Sequence, residues 1–480
     1  MVTPTDANAI DTPTPALAAG LIGRAPPSTA GPIDEQQLAG STRPPRIPLP
    51  TPVQVMRFTQ RQTEFVFRAR RELGEVFGFR GIIPGHPVIT GHPDHVKSLF
   101  TAKPELVPSL TAESPLRPIV GKDSVLTAQG ARHIRQRKLL LPSFHGEAVE
   151  QYSRMIAEAA EREISKWPIG SPFELAPRMQ AITLDVIMAG VFGIEGRPRR
   201  GTPEWGVRNA TRQLVRASTW PVAQLAEFMN VGRSEAVGLT KAGLSLLDKP
   251  TYEVISQRRA AGDLEDHHDI MSTLLRARTD DGEALSDREL RDELLTLVLA
   301  GHETTANSLA WTWERLTRTP DAYATLYDAV RNDSDDKAEQ IEAVITETMR
   351  SRPVIPMIGR RVSVPWQLGE YAVPAGSAVV ISIMLVHHRE DLYPDPFDFK
   401  PRRWIGHKPG TYEWLPFGGG ARRCIGAALA MAEQRVVLEA MVRRLDIEAD
   451  RREPEHVTHR NVTMIPARGA RAVIRARHDA

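Results

Sequence analysis

Phe417–Gly426 reads Phe-Gly-Gly-Gly-Ala-Arg-Arg-Cys-Ile-Gly and holds Cys424, the only cysteine among 480 residues. Glycines 418, 419 and 420 precede it. Ala427–Leu445 follows, with helix formers and apolar positions at Leu429, Val436, Val437, Leu438, Met441 and Val442. The spacing predicts that Cys424 sits where a glycine loop enters a helix. Unpaired N–H groups and the positive end of the helix dipole lower a thiol's pKa at such a place. The glycines let backbone approach something flat and bulky. A thiolate held open by this loop can be a nucleophile, a redox thiol or a metal ligand, whereas a lone cysteine is more often buried and inert.

Phe417, Gly420, Arg422, Cys424 and Gly426 together carry a further signal. Their spacing resembles the haem-ligand loop of the cytochrome P450 family. The resemblance implies haem b (iron protoporphyrin IX) as cofactor, with the Cys424 thiolate as the proximal iron ligand. It implies that Phe417 packs near the sulfur, that Arg422 meets a haem propionate, and that Gly426 belongs to the same cofactor-binding loop.

Composition is that of an ordinary globular chain: 41% hydrophobic, 25% charged and a formal net charge of +2, which gives no bulk case for nucleic-acid binding. A single cysteine excludes an intrachain disulfide. No run approaches the ~18 apolar residues of a membrane span, and Met1–Ile10 lacks the basic region of a signal peptide. The chain is therefore expected to have no membrane anchor, to be cytoplasmic, and to resemble the soluble bacterial-type members of the family. Interior composition does not shift, so one large domain over 46–480 is expected. Residues 1–45, rich in Pro, Thr, Ala and Gly, are expected to be a disordered leader. Long helical patterns dominate, with β-like pieces near the start, around 360–385 and at the end. The fold class is thus mainly α with small β-sheets. By resemblance, haem lies between a long distal helix and the proximal cysteine loop and its helix.

Gly130–Leu141 is basic and helical, and His133 and Arg137, four apart, share one face. Read alone this is a solvated basic helix. By resemblance, His133 and Arg137 hold the propionates, and Arg360, with Arg361 as competitor, supplies another cation to them.

Ser286 and Glu289 form a capping-box pattern, and no proline follows until Pro320. A helix over 287–319 would be ~50 Å long. In its middle stands Ala-Gly-His-Glu-Thr-Thr, 300–305. A carboxylate and hydroxyls are costly in a buried helix unless used or paired. The hexapeptide resembles the family's oxygen-activation motif. That implies O2 as co-substrate, Glu303 and Thr304 as the proton-delivering pair, space for dioxygen at Gly301, and substrate contact at Ala300 and Thr305. His302 is expected to face a neighbouring helix.

Glu347 and Arg350 are spaced i,i+3 on a helix ended by Pro353. With Arg403 in Phe399–Trp404 they resemble the family's buried structural triad, although Arg402 stands where the family usually has Glu. Val354 and Met357 are expected to line the substrate pocket. His387 and His388 are expected to be structural. Val457–Arg475 is expected to form a closing hairpin around Pro466–Gly469.

The resemblance implies a haem-thiolate monooxygenase that inserts one atom of O2 into an apolar small molecule. No flavin or iron–sulfur signature follows residue 475, so a separate ferredoxin or flavodoxin with its NAD(P)H reductase is expected to supply electrons. Arg132, Arg135, Lys138, Arg423 and Arg435 are the expected docking cluster. The alternatives are a peroxygenase or rearranging member of the family, a non-catalytic haem-binding sensor or carrier, and a non-haem redox thiol. Glu303-Thr304 argues against the first.

Overall fold

The computed structural model describes the chain except for residues 1–21, 81–86, 145, 195, 219–225, 227, 228, 231, 279–281 and 480. It is mostly helical with small sheets, as the patterning predicts. Helix α1 (Gly130–Leu140) is the basic segment, α2 (Ala176–Phe192) is apolar nearly all round, and α3 (Asp287–Leu316) is the long helix.

Helix α3 begins where expected. Ser286 Oγ accepts from the Glu289 N–H at 3.3 Å, and the Ser286 N–H donates to Glu289 Oε2 at 3.0 Å. Its 30 residues span ~45 Å. It packs against α2 and against α6 (Ala427–Arg444) in the largest apolar cluster, with Leu290, Leu294, Val298, Leu309 and Trp313 inaccessible. Helix α4 (Lys337–Ser351) stops before Pro353, which cannot continue it.

Strands β2 (Val76–Gly78), β3 (Val88–Thr90), β5 (Met357–Arg361) and β8 (Ala378–Ser382) make one sheet in the order β2-β3-β8-β5. The β3–β8 pair is parallel and the others are antiparallel. Strands β2 and β3 are consecutive in the chain, and residues 81–86 between them lie outside the described residues. Strand β8 runs into the short helix α5 (Ile383–His387).

Two expectations need correction. Residues 22–45 are not a loose leader. Strand β1 (Ala30–Pro32) pairs with β6 (Trp366–Leu368), which pairs with β7 (Tyr371–Val373), and the Gly23 N–H donates to the Leu392 carbonyl at 2.7 Å. Low apolar content did not matter because a sheet edge was available to this backbone. The closing hairpin also turns elsewhere. Strands β10 (Val457–Arg460) and β11 (Thr463–Pro466) pair across Asn461, which takes φ +54°. Asparagine tolerates that left-handed conformation. Strand β12 (Arg471–Arg477) instead joins β9 (Leu445–Ala449) and β4 (Phe173–Glu174).

Candidate active site

The cysteine loop is closed by its own backbone, the Cys424 N–H donating to the Phe417 carbonyl at 2.9 Å. Gly418 and Gly420 take φ +63° and +65°, a region that favours glycine. A Cβ on Gly420 would lie 2.5 Å from the Phe100 carbonyl oxygen, and one on Gly419 would enter the Phe100 ring. Gly419 thus makes room for the Phe100 ring and Gly420 for the Phe100 backbone, while Gly418 faces Ile358. Phe417 stacks edge-on with Trp414, their centroids 6.0 Å apart, and Arg423 lies over its ring.

Cys424 shows open surface yet lies deep below the protein's exterior, so that surface belongs to an interior recess. Burial pushes its thiol above the ordinary range, against the opposing pull of the Gly426 N–H, Arg423 and Arg137. The expected lowering by the helix terminus is therefore overridden by desolvation. An uncharged, deep thiol is a poor free nucleophile; a bound metal ion deprotonates such a group outright.

Three arginines and a histidine converge nearby. His133 is held down to about 4 by burial and by Arg422, Arg137 and Arg360. Arg360 is pushed down to about 10 by burial alone, and Arg422 to about 10 by burial and by its neighbours Arg360 and Arg137. Burial lowers Arg137 as well. Among the described residues no carboxylate pairs with any of the four. Among the described residues the Arg360 guanidinium donates to the carbonyl of the preceding Gly359, at 3.0 Å, and lies 5.2 Å over the Phe100 ring. Arg422 donates to the carbonyls of Val125, Leu126 and Ala128 and to Gln129 Oε1. Buried cations without anions are costly, and this set fits a ligand that brings two carboxylates beside a thiolate-bound metal. The residues present therefore fit haem. Arg361, the alternative to Arg360, is instead paired with Glu113 at 2.6 Å.

The middle of α3 is its open stretch: Ala300 is exposed in a helix otherwise largely buried. Thr304 Oγ1 donates to the Ala300 carbonyl at 2.7 Å, and Thr305 is buried. His302 is inaccessible, its Nδ1 bonded to the Val298 carbonyl at 2.8 Å, and its own carbonyl accepts from Thr183 of α2 at 2.7 Å. It is a packing residue. The role expected of Gly301 is corrected: a Cβ there would sit 2.9 Å from Ile187 Cδ1, so glycine permits the close crossing of α2 and α3.

Glu303 has a partner that the sequence did not reveal. Arg460 Nη1 donates to its Oε1 at 3.1 Å, and Thr463 Oγ1, whose hydroxyl donates to the Arg460 carbonyl at 2.7 Å, lies 3.4 Å from the same oxygen. Both come from the β10–β11 hairpin, 157 and 160 positions away, and no local pattern encodes such a contact. Two ties join the walls of this region. Ser308 of α3 donates to Gln434 of α6 at 2.6 Å, and the Val125 N–H donates to Glu293 of α3 at 2.9 Å while its carbonyl accepts from Arg422.

Val354 is half-buried, and its carbonyl accepts from the Met464 N–H at 2.7 Å. Met357 is not with it. It packs toward Phe77, Ile89 and Leu385, because strand alternation puts it on the face of β5 opposite Ile358 and Arg360. Ile358 is the residue that meets the cysteine loop, 3.1 Å from where a Gly418 Cβ would be.

The triad is closed. Arg350 donates to both Glu347 oxygens at 2.8 and 2.9 Å, and Arg403 donates to Oε1 at 3.2 Å. Trp404 Nε1 and the Lys400 N–H add donors at 3.0 and 2.9 Å, and all three charged side chains are inaccessible.

The expected docking cluster is largely neutralised. Arg132 pairs with Asp123, Arg135 with Glu289 and Arg435 with Glu342, at 2.5 to 2.6 Å. Lys138 and Arg423 remain exposed. No helix of the described residues is long and apolar enough to cross a membrane.

Residues 42–472 match the cytochrome P450 family model. The chain is 36% identical over 447 residues to "Putative cytochrome P450 138" of Mycobacterium tuberculosis, covering 90% of this chain and 96% of that protein. It is 36% identical over 439 residues to "Putative cytochrome P450 135B1" of the same organism, covering 91% and 92%. Among solved structures, a retinoic acid-bound cyanobacterial CYP120A1 superposes with a TM-score of 0.76 at 20% identity, covering 91% of this chain and 100% of that one. The haem domain of cytochrome P450DA gives 0.73 at 22% identity, covering 91% and 98%. These two show the shared fold.

Proposed function

The chain belongs to the cytochrome P450 family, and on that premise we propose that it inserts one atom of O2 into an apolar organic molecule, by hydroxylation or epoxidation, with electrons from a separate protein. Thiolate-bound haem, when present, supplies the oxygen chemistry. The chain's residues supply the rest. Cys424 would hold the haem iron through its sulfur, in a loop closed by the Cys424 N–H bond to the Phe417 carbonyl. Arg137, Arg360 and Arg422 would neutralise the two propionates, and the neutral His133 ring would donate a hydrogen bond to one of them. Ala300 and Val354 border the substrate.

Glu303 and Thr304 deliver protons. The Glu303 carboxylate is held by Arg460, which Thr463 holds in turn through the Arg460 carbonyl, so its orientation is set before reaction. The Thr304 hydroxyl donates to its own helix, which leaves its oxygen free to accept from a water and to order it toward the open stretch at Ala300. Proton transfer needs a donor and a relay at fixed spacing, and adjacent positions on one helix provide it.

The observation that carries this reading is the unpaired cationic cluster beside a deep thiol, with an acid–alcohol pair on the open stretch of α3. Electrons come from a ferredoxin or flavodoxin with its NAD(P)H reductase, whose acidic face would meet Lys138 and Arg423. The test is turnover with a surrogate ferredoxin and reductase on a panel of apolar compounds. Oxygen uptake with oxygenated product supports the reading. Haem binding with no donor-dependent oxygen uptake would instead favour the sensor or carrier, and product formed only with added peroxide would favour the peroxygenase.

A further inference from the structure

The glycine run that shapes the cysteine loop is conformationally permissive, so something outside it must fix where the sulfur lies. The root of the loop shows how. Tyr393 Oη donates to the Glu413 carbonyl at 2.9 Å, and Trp414 Nε1 donates to the Thr346 carbonyl of α4 at 3.1 Å. The third anchor is a histidine. The Leu415 N–H donates to His387 Nε2 at 2.7 Å, and His387 Nδ1 donates to the Arg350 carbonyl at 3.1 Å.

We propose that His387 is a positioning residue for Cys424: it links the buried Glu347–Arg350–Arg403 cluster to the root of the turn that carries the sulfur. The connection is continuous. Arg350 Nη1 donates back to the His387 carbonyl at 2.8 Å, so residue and cluster clamp each other. Beyond Leu415, its carbonyl accepts from the Gly418 N–H at 2.9 Å, and the Phe417 carbonyl accepts from the Cys424 N–H at 2.9 Å. Both ring nitrogens are used, one as acceptor and one as donor, which requires the neutral ring. Complete burial and the charge of Arg350 hold its pKa down to about 3, so the link persists through the working pH range. His388 does not share the role, because its Nδ1 bonds within its own turn to the Met384 carbonyl.

This inference rests on Cys424 being the haem ligand, and the test separates the two. The full-length haem-loaded protein is prepared as wild type, His387→Leu, His387→Gln and His387→Asn. Glutamine can place an oxygen near Nε2 and accept from Leu415; asparagine reaches only the Nδ1 position and keeps the Arg350 bond. The readouts are the lifetime of the red-shifted Soret band of the reduced carbon monoxide complex and the melting temperature by circular dichroism. His387→Leu and His387→Asn are expected to lose the band about tenfold faster than wild type, the factor one lost hydrogen bond gives. His387→Gln gives up the Arg350 carbonyl bond but keeps the Leu415 bond at the root of the loop, and should stay within about threefold of wild type. Equal lifetimes for the Gln and Asn variants, or lifetimes that only follow melting temperature across the series, would overturn the proposal. That comparison holds even if His387→Leu does not fold. A wild-type protein lacking the red-shifted band would overturn the ligand assignment and this inference together.

Discussion

Replacing Glu347 with glutamine removes the carboxylate that Arg350 and Arg403 share. Glu347, Arg350 and Arg403 are all inaccessible, and five donors converge on the carboxylate. The variant keeps the shape but leaves buried positive charge uncompensated. Breaking a buried ion cluster in this way costs ~3–5 kcal/mol. Donors left facing the amide NH2 add to this, each by ~1–3 kcal/mol where a buried group goes unpaired, though such terms are not additive. The expected loss is therefore at least ~3 kcal/mol. Urea unfolding of the haem-loaded protein, followed by far-UV circular dichroism, measures it. The internal control is Glu448→Gln. Its pair with Arg475 is as short, 2.7 Å, but both side chains are more than half exposed, so the loss should stay below ~1 kcal/mol. A Glu347→Gln protein within ~1 kcal/mol of wild type would refute the argument that burial, and not ion-pair distance, sets the strength of this cluster.

Other perturbations follow from the same geometry. Burial raises Glu293 to about 8; its folded state binds a proton more tightly than the unfolded chain, so stability falls as pH rises from about 4.5 through about 8. Glu293→Gln should flatten that slope and be more stable than wild type at alkaline pH, with little difference at acid pH, read from urea midpoints across pH. Gly301→Ala should destabilise by ~1–3 kcal/mol through overpacking against Ile187, and Ile187→Val should recover part of the loss in the double variant. Arg460→Met frees Glu303 and should lower the yield of oxygenated product per oxygen consumed while leaving the reduced carbon monoxide spectrum as in wild type; an unchanged yield would remove Arg460 from proton delivery. Lys138→Glu should slow reduction by an acidic ferredoxin, more so at low ionic strength. Arg135→Glu should instead lower stability by breaking its pair with Glu289, and equal reduction kinetics for Lys138→Glu and wild type at all salt concentrations would exclude docking there.

Much of this was legible in the sequence because it is local. The capping box at Ser286, the helix stop before Pro353, the i,i+3 pair at Glu347 and Arg350, and the glycine-flanked Cys424 each depend on neighbours within a turn or two. What escaped was long-range. Arg460 reaches Glu303 across 157 positions, and Gly301 serves a helix crossing whose partner, Ile187, no spacing identifies. Met357 was placed by the apolar character of its segment, whereas strand alternation decides its face and selects Ile358 instead. The helix terminus lowers the pKa of the Cys424 thiol, but desolvation outweighs it. Residues 22–45 were judged by composition, yet the edge of β6 was there to pair with them.

The central claim is that Cys424 ligates haem. The most direct measurement is the visible spectrum of the dithionite-reduced protein with and without carbon monoxide, for wild type and Cys424→Ser. A strongly red-shifted Soret band in wild type, absent from the variant, is the predicted result. Haem bound without that shift, or a shift that survives in Cys424→Ser, would contradict it.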